Sequence, residues 1–152
     1  DPTKKRKYMV LPALKSGRIY IVDTATDPEA PQLFKSVEPK DIQDKFDIGY
    51  LHTTHCLGSG EVMISGMGDK EGNAKGSFLL LDENFELKST WEDKNQTLPY
   101  GYDFWYQPYH NVMVSTEWGE PKEFCKGFNP ANVGEKYGSK LHFWNWKERK
   151  CI

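Results

Sequence analysis

Two histidines, His52 and His55, stand three positions apart in the run Leu51-His52-Thr53-Thr54-His55-Cys56-Leu57. Neutral imidazole is a good ligand for transition metals, so such a pair is a candidate metal site. The surrounding residues favour a strand, and there an interval of three works against the pair. Successive side chains of a strand alternate between its faces, so residues three apart point to opposite sides. Both rings reach one ion only where a β-bulge or the strand start re-aims one of them. The competing reading is two structural histidines, each satisfied by ordinary hydrogen bonds. Cys56 reads either as a small buried hydrophobe or as a thiolate ligand.

Two carboxylates sit in aromatic surroundings. Asp103 lies within the run Tyr102 to Tyr106, and Glu117 precedes Trp118. A carboxylate taken out of water needs a partner. Each of these either orients a ligand histidine from behind or bonds to neighbouring structure. His110 and His142 read as structural, and Trp105, Trp118, Trp144 and Trp146 read as core residues. The sequence has no Walker loop, no Rossmann glycine pattern, no H-E-x-x-H and no nucleophile-elbow serine. Gly58-Ser59-Gly60 is a hairpin turn.

The elements that must position these residues recur along the chain. Tyr8-Met9-Val10-Leu11, Val62-Met63-Ile64-Ser65 and Val112-Met113-Val114-Ser115 are short apolar runs of one pattern. A second set, Arg18 to Asp23, Ser77 to Asp82 and Lys140 to Asn145, recurs at about sixty residues. Each member has a glycine upstream and a turn-forming Asp or Asn at its end. Such β-branched and aromatic runs are strands, and their near-continuous apolarity predicts cover on both faces. Pro31 to Val37 and Phe85 to Trp91 supply outer strands, and Gly49 to Leu57 and Tyr100 to Gln107 supply inner ones. Four antiparallel strands per repeat is a β-propeller blade, and a double-sheet sandwich is the alternative. The fold class is therefore all-β. Residues 1–152 form a single partial propeller domain of two to three four-stranded blades, incomplete at both ends. Gly119 to Tyr137 is a long insertion, either functional or disordered, and Cys125 within it is expected to be exposed.

Composition narrows the function. The 152 residues carry a formal net charge of -2, which gives no electrostatic case for nucleic acid or an anionic membrane surface. Apolar runs are far too short to cross a bilayer. Three cysteines, without C-x-x-C spacing, argue against a disulfide framework and for a reducing compartment, the cytoplasm by default. The basic run Lys4 to Lys7 is either a nuclear-import patch or a solvated approach to the first strand. The chain opens on Asp1-Pro2-Thr3 without an initiator Met, as an excerpt of a longer polypeptide would.

Several stretches together resemble the selenium-binding protein family. They include Leu51-His52-Thr53-Thr54-His55-Cys56-Leu57, Gly60-Glu61-Val62-Met63-Ile64-Ser65 and Gly101-Tyr102-Asp103-Phe104-Trp105-Tyr106-Gln107-Pro108. His110 to Trp118, Gly127-Phe128-Asn129-Pro130-Ala131, Leu11-Pro12-Ala13-Leu14 and Glu38-Pro39-Lys40-Asp41-Ile42 extend the match across the chain. The resemblance implies a seven-bladed propeller, of which this is a segment of the N-terminal half. It also implies copper-dependent oxidation of methanethiol, with oxygen and water, to formaldehyde, hydrogen sulfide and hydrogen peroxide. The implied partners are then a small thiol and oxygen, and the implied cofactors are copper, held in part by His52 and His55, and selenium. The selenium-linked cysteine and a further histidine pair would lie upstream of Asp1. The alternative is a non-catalytic propeller that serves as a scaffold for protein interaction or intracellular transport, with at most peripheral membrane association.

Overall fold

The computed structural model describes residues 5–152, so Asp1 to Thr3, and Lys4 of the basic run, lie outside the described residues. Lys5, Arg6 and Lys7 are exposed and precede the first strand, and Lys7 pairs with Asp23 at 3.3 Å. Three antiparallel sheets follow one another. The first holds β1 (Tyr8–Pro12), β2 (Ile19–Asp23) and β3 (Gln32–Val37), in that order. The second holds β4 (Gly49–Cys56), β5 (Val62–Gly68), β6 (Ala74–Leu81) and β7 (Leu87–Thr90). The third holds β8 (Phe104–Gln107), β9 (Val112–Thr116), β10 (Leu141–Asn145) and β11 (Lys150–Cys151). These are propeller blades. The first lacks its innermost strand among the described residues. The last, expected to be partial, has a fourth strand of only two residues.

The repeat is written in its turns. Asp23 Oδ1 accepts from the N–H groups of Ala25 and Thr26 at 3.0 and 2.9 Å. Asp82 Oδ1 does the same for Asn84 and Glu86 at 2.8 and 2.9 Å, and Asn145 Oδ1 for Glu148 at 3.0 Å. Each caps the turn that leads to the outermost strand of its blade.

Burial follows from stacking. The blades pack face to face around two apolar layers. Ile19, Ile21, Leu51, Ile64 and Leu79 belong to the layer between the first and second sheets. Met63, Phe78, Trp91, Phe104, Met113 and Trp144 belong to the layer between the second and third. The middle sheet contributes to both, and every residue of β5 is buried. Close approach of main chains locks the second interface. A methyl group added to Gly101 would collide with the Gly66 carbonyl oxygen and come within 3.0 Å of Gly76 Cα. Residues around Gly101 therefore dock on the middle sheet instead of joining the third. The inner strand expected over Tyr100 to Gln107 is shortened to β8 for that reason.

Other expectations need correction. The segment Pro39–Phe46 is a helix, α1, between β3 and β4. Pro39 opens it, Asp41 lies in its first turn, Lys45 in its last, and Ile42 alone is buried. Cys56, expected to be buried, is exposed at the end of β4. Trp144 is fully buried, with its Nε1–H donated to Ser115 Oγ at 2.9 Å, and Trp146 packs on the same layer. Trp105 and Trp118 are 70% and 44% exposed and are not core. Trp105 alternates with buried Phe104 along the innermost strand, and Trp118 follows the end of β9. No helix among the described residues is long and apolar enough to cross a membrane, which says nothing of spans built from strands.

Candidate functional site

The alternation problem posed by His52 and His55 is solved by a β-bulge. Leu51 pairs with Gly66 and Thr54 with Ile64, so β4 carries one residue more than β5 between those pairs. His52 and Thr53 together oppose Ser65. The extra residue flips the parity of the strand, and both histidines turn to the side facing the third sheet. The His52 ring lies 4.4 Å from the ring of Tyr102, centre to centre. The His55 ring lies 4.8, 4.7 and 5.6 Å from those of Phe104, Trp105 and Tyr106.

Ser65 holds the bulge open. It is 1% exposed, accepts from Thr53 N–H at 2.9 Å and donates to the Tyr102 carbonyl at 2.5 Å. One hydroxyl thus ties the bulged strand to the segment against which His52 stacks. Nothing in the sequence marked this serine, since a serine in an apolar strand resembles a tolerated small residue. Tyr50, two residues before His52, has φ 54°, a left-handed conformation that a bulky side chain seldom adopts. The strand is distorted on both sides of Leu51.

The two rings differ in their surroundings. His52 is open on one side, and its Nδ1 lies 2.9 Å from Thr53 Oγ1. Desolvation lowers its pKa, and the charge of Asp103 opposes that shift. The neutral form, which is the one that ligates metals, is favoured at neutral pH. His55 sits in an aromatic box, and its Nε2 is buried without a hydrogen-bond partner among the described residues. A buried ring nitrogen in that position is costly unless something binds it.

The carboxylates part company. Asp103 precedes β8, and its Oδ1 accepts from Phe104 N–H at 2.7 Å. It faces His52 electrostatically and makes no hydrogen bond to it. Glu117 does hold a histidine, but that residue is His142, with Oε1 to Nε2 at 2.9 Å. His110 is exposed. The insertion is ordered and closes over the neighbouring blade. It contains a short helix, α2 (Pro121–Phe124), and Phe124 meets Tyr50 edge to face at 6.3 Å. Lys122 bonds the Gly72 carbonyl at 3.0 Å and Asn73 Oδ1 at 2.7 Å. Cys125 is exposed there, as expected. Tyr102 stacks on Trp118 at 5.1 Å, so the wall behind His52 runs into the base of this insertion.

The donors suit copper in kind: two imidazoles, one with an unsatisfied buried nitrogen. In number they are short, because the described residues contain no group of three or more His, Cys, Asp or Glu placed to hold an ion. Further ligands would have to come from other parts of a longer polypeptide.

Comparison with known proteins agrees with this architecture. The chain is 56% identical to methanethiol oxidase of Danio rerio and 55% identical to that of Homo sapiens, in each case along its entire length. It spans 34% and 33% of those proteins, about a third of the relatives it matches. A solved hypothetical selenium-binding protein from Sulfolobus tokodaii superposes with a TM-score of 0.90 at 35% identity, over 100% of this chain and 33% of that one. The family described as 56kDa selenium binding protein (SBP56) matches residues 1–152, and the chain belongs to that family.

Proposed function

We propose that the protein carrying these residues is a copper-dependent methanethiol oxidase, with His52 and His55 among the ligands of its metal. The observation that carries this reading is the bulge that aims both imidazoles to one side and leaves His55 Nε2 buried and unpartnered. The names of relatives at 56% and 55% identity support the substrate. The overall reaction would take methanethiol, oxygen and water to formaldehyde, hydrogen sulfide and hydrogen peroxide. Copper would supply the one-electron cycling that a thiol–oxygen reaction needs. The chain's own contribution is positional. Ser65 fixes the bulge, Tyr102 stacks on the His52 ring, Phe104 to Tyr106 surround the His55 ring, and Asp103 sets a negative charge beside His52. Selenium binding would rest on residues outside this segment. Three free thiols support a reducing compartment such as the cytoplasm.

The test uses the full-length protein expressed with ample copper in air. His52→Ala and His55→Ala are each expected to lower bound copper and hydrogen sulfide release at least about tenfold. Full copper and full turnover in both variants would remove the two histidines from the site. Absence of copper and of turnover in the unmodified protein would instead favour a protein-docking role. For that role the exposed Phe128 and Val133 of the insertion offer an apolar surface.

A further inference from the structure

Across the outer half of the third sheet, three side chains with chemistry unused by the proposed oxidase lie in one row. They are Glu117 just past β9, His142 on β10 and Cys151 on β11. Register brings them together. His142 pairs with Ser115 and Trp144 with Cys151, so all three side chains fall on the face that packs toward the middle sheet. Glu117 Oε1 lies 2.9 Å from His142 Nε2, and Cys151 Sγ lies 3.9 Å from His142 Nδ1.

The order of protons in the row follows from the carboxylate. The Glu117 side chain is 3% exposed and also accepts from the N–H groups of Ser139 and Lys140 at 2.9 and 3.0 Å. Burial raises its pKa, but His142 and those two donors outweigh it and hold the carboxyl below the ordinary glutamate range. An ionised carboxylate only accepts, so the proton on the neutral His142 ring sits at Nε2. Nδ1 then offers its lone pair to the thiol. Nucleophile, base and orienting acid stand in the sequence that activated thiols use. Cys151 also lies on the outermost strand of its blade and is partly open to solvent, whereas His52 and His55, the proposed metal ligands, lie on an inner strand.

We infer that Cys151 is a thiol–disulfide exchange site for small disulfides, with His142 as its base and Glu117 as the positioning residue. In the exchange, the Cys151 S–H proton passes to His142 Nδ1 as the sulfur attacks one sulfur of the disulfide. The disulfide S–S bond breaks, and the departing thiolate takes the proton back from His142. The products are a mixed disulfide on Cys151 and one free thiol, with the small disulfide as the oxidant.

Cys56 and Cys125 are internal standards, because both are more exposed than Cys151 and neither bonds to a base among the described residues. The reduced full-length protein is treated with oxidised glutathione, quenched at intervals and digested, and the mixed disulfide at each cysteine is measured by mass spectrometry. Cys151 is expected to react at least about tenfold faster than Cys56 or Cys125, against the order of exposure. His142→Gln and Glu117→Gln are each expected to slow Cys151 about tenfold or more while leaving the other two rates unchanged. Loosening of the fold would expose Cys151 and speed it, so slowing separates base assistance from a structural effect. A Cys151 rate at or below that of either exposed cysteine, or one that His142→Gln leaves unchanged, would overturn the assignment.

Discussion

At the scale of single residues, Ser65 matters most to the candidate site. Its hydroxyl ties the Thr53 amide inside the bulge to the Tyr102 carbonyl behind His52. Ser65→Ala removes a buried partner from both, at a cost of about 1–3 kcal/mol for each group left unsatisfied. The denaturant midpoint is expected to fall accordingly with an unchanged slope, and an unchanged midpoint would show that the bulge holds without it. The histidines illustrate how far residue type reaches. Imidazole chemistry was legible at once, and so was the need for a bulge if the pair is to act together. That β4 contains one depended on the pairing partner, because Ser65 and the docked Tyr102 segment are far away in sequence. Glu117 was legible as a carboxylate that needs a partner, either a ligand histidine or neighbouring structure. Which histidine it orients was not, since His142 reaches it only through the register of β9 with β10.

At the scale of elements, the strands were readable because their residues are β-branched, aromatic and closed by Asp or Asn turns, which are local properties. The helix α1 escaped notice because only Ile42 in it is buried, so it shows little of the apolar periodicity that marks longer helices. Its signals were the weaker ones of capping and charge. The shortening of β8 has a different cause. Gly101 is where the segment before β8 presses its backbone on the middle sheet, with no room for a Cβ beside the Gly66 carbonyl. Gly101→Ala is expected to cost about 1–3 kcal/mol through overpacking. It should also loosen Tyr102 from His52. Thermal melting of the full-length variant checks the first effect, and a melting temperature equal to that of the parent would show that the interface yields.

At the scale of the whole molecule, three blades stacked side by side bury the middle one and leave the outer faces of the first and third uncovered. Met9, Leu11 and Leu33 lie exposed on one of these, and Leu141 and Phe143 on the other. Apolar faces of this kind associate in water. The 152-residue segment prepared by itself is expected to self-associate, and Leu33→Thr combined with Phe143→Thr is expected to shift it toward monomer. Sedimentation velocity of the two measures this, and a monomeric parent at micromolar concentration would contradict it. The exposure of Trp105 belongs here too. Along its strand it was indistinguishable from a core residue, and its position on the innermost edge, against His55, follows from how the blades are arrayed.

Strand identity, the sixty-residue recurrence, the absence of a membrane-length apolar run and the family resemblance were all determined by the chain of residues alone, because each depends on side-chain type over a short span. The face that each side chain meets was decided by tertiary structure. In a sheet one inserted residue reverses every later side chain, and whether the insertion is tolerated depends on a hydroxyl and a carbonyl supplied from remote segments. The aim of His52 and His55, the union of Glu117 with His142 and Cys151, and the exposure of Trp105 all belong to that second kind.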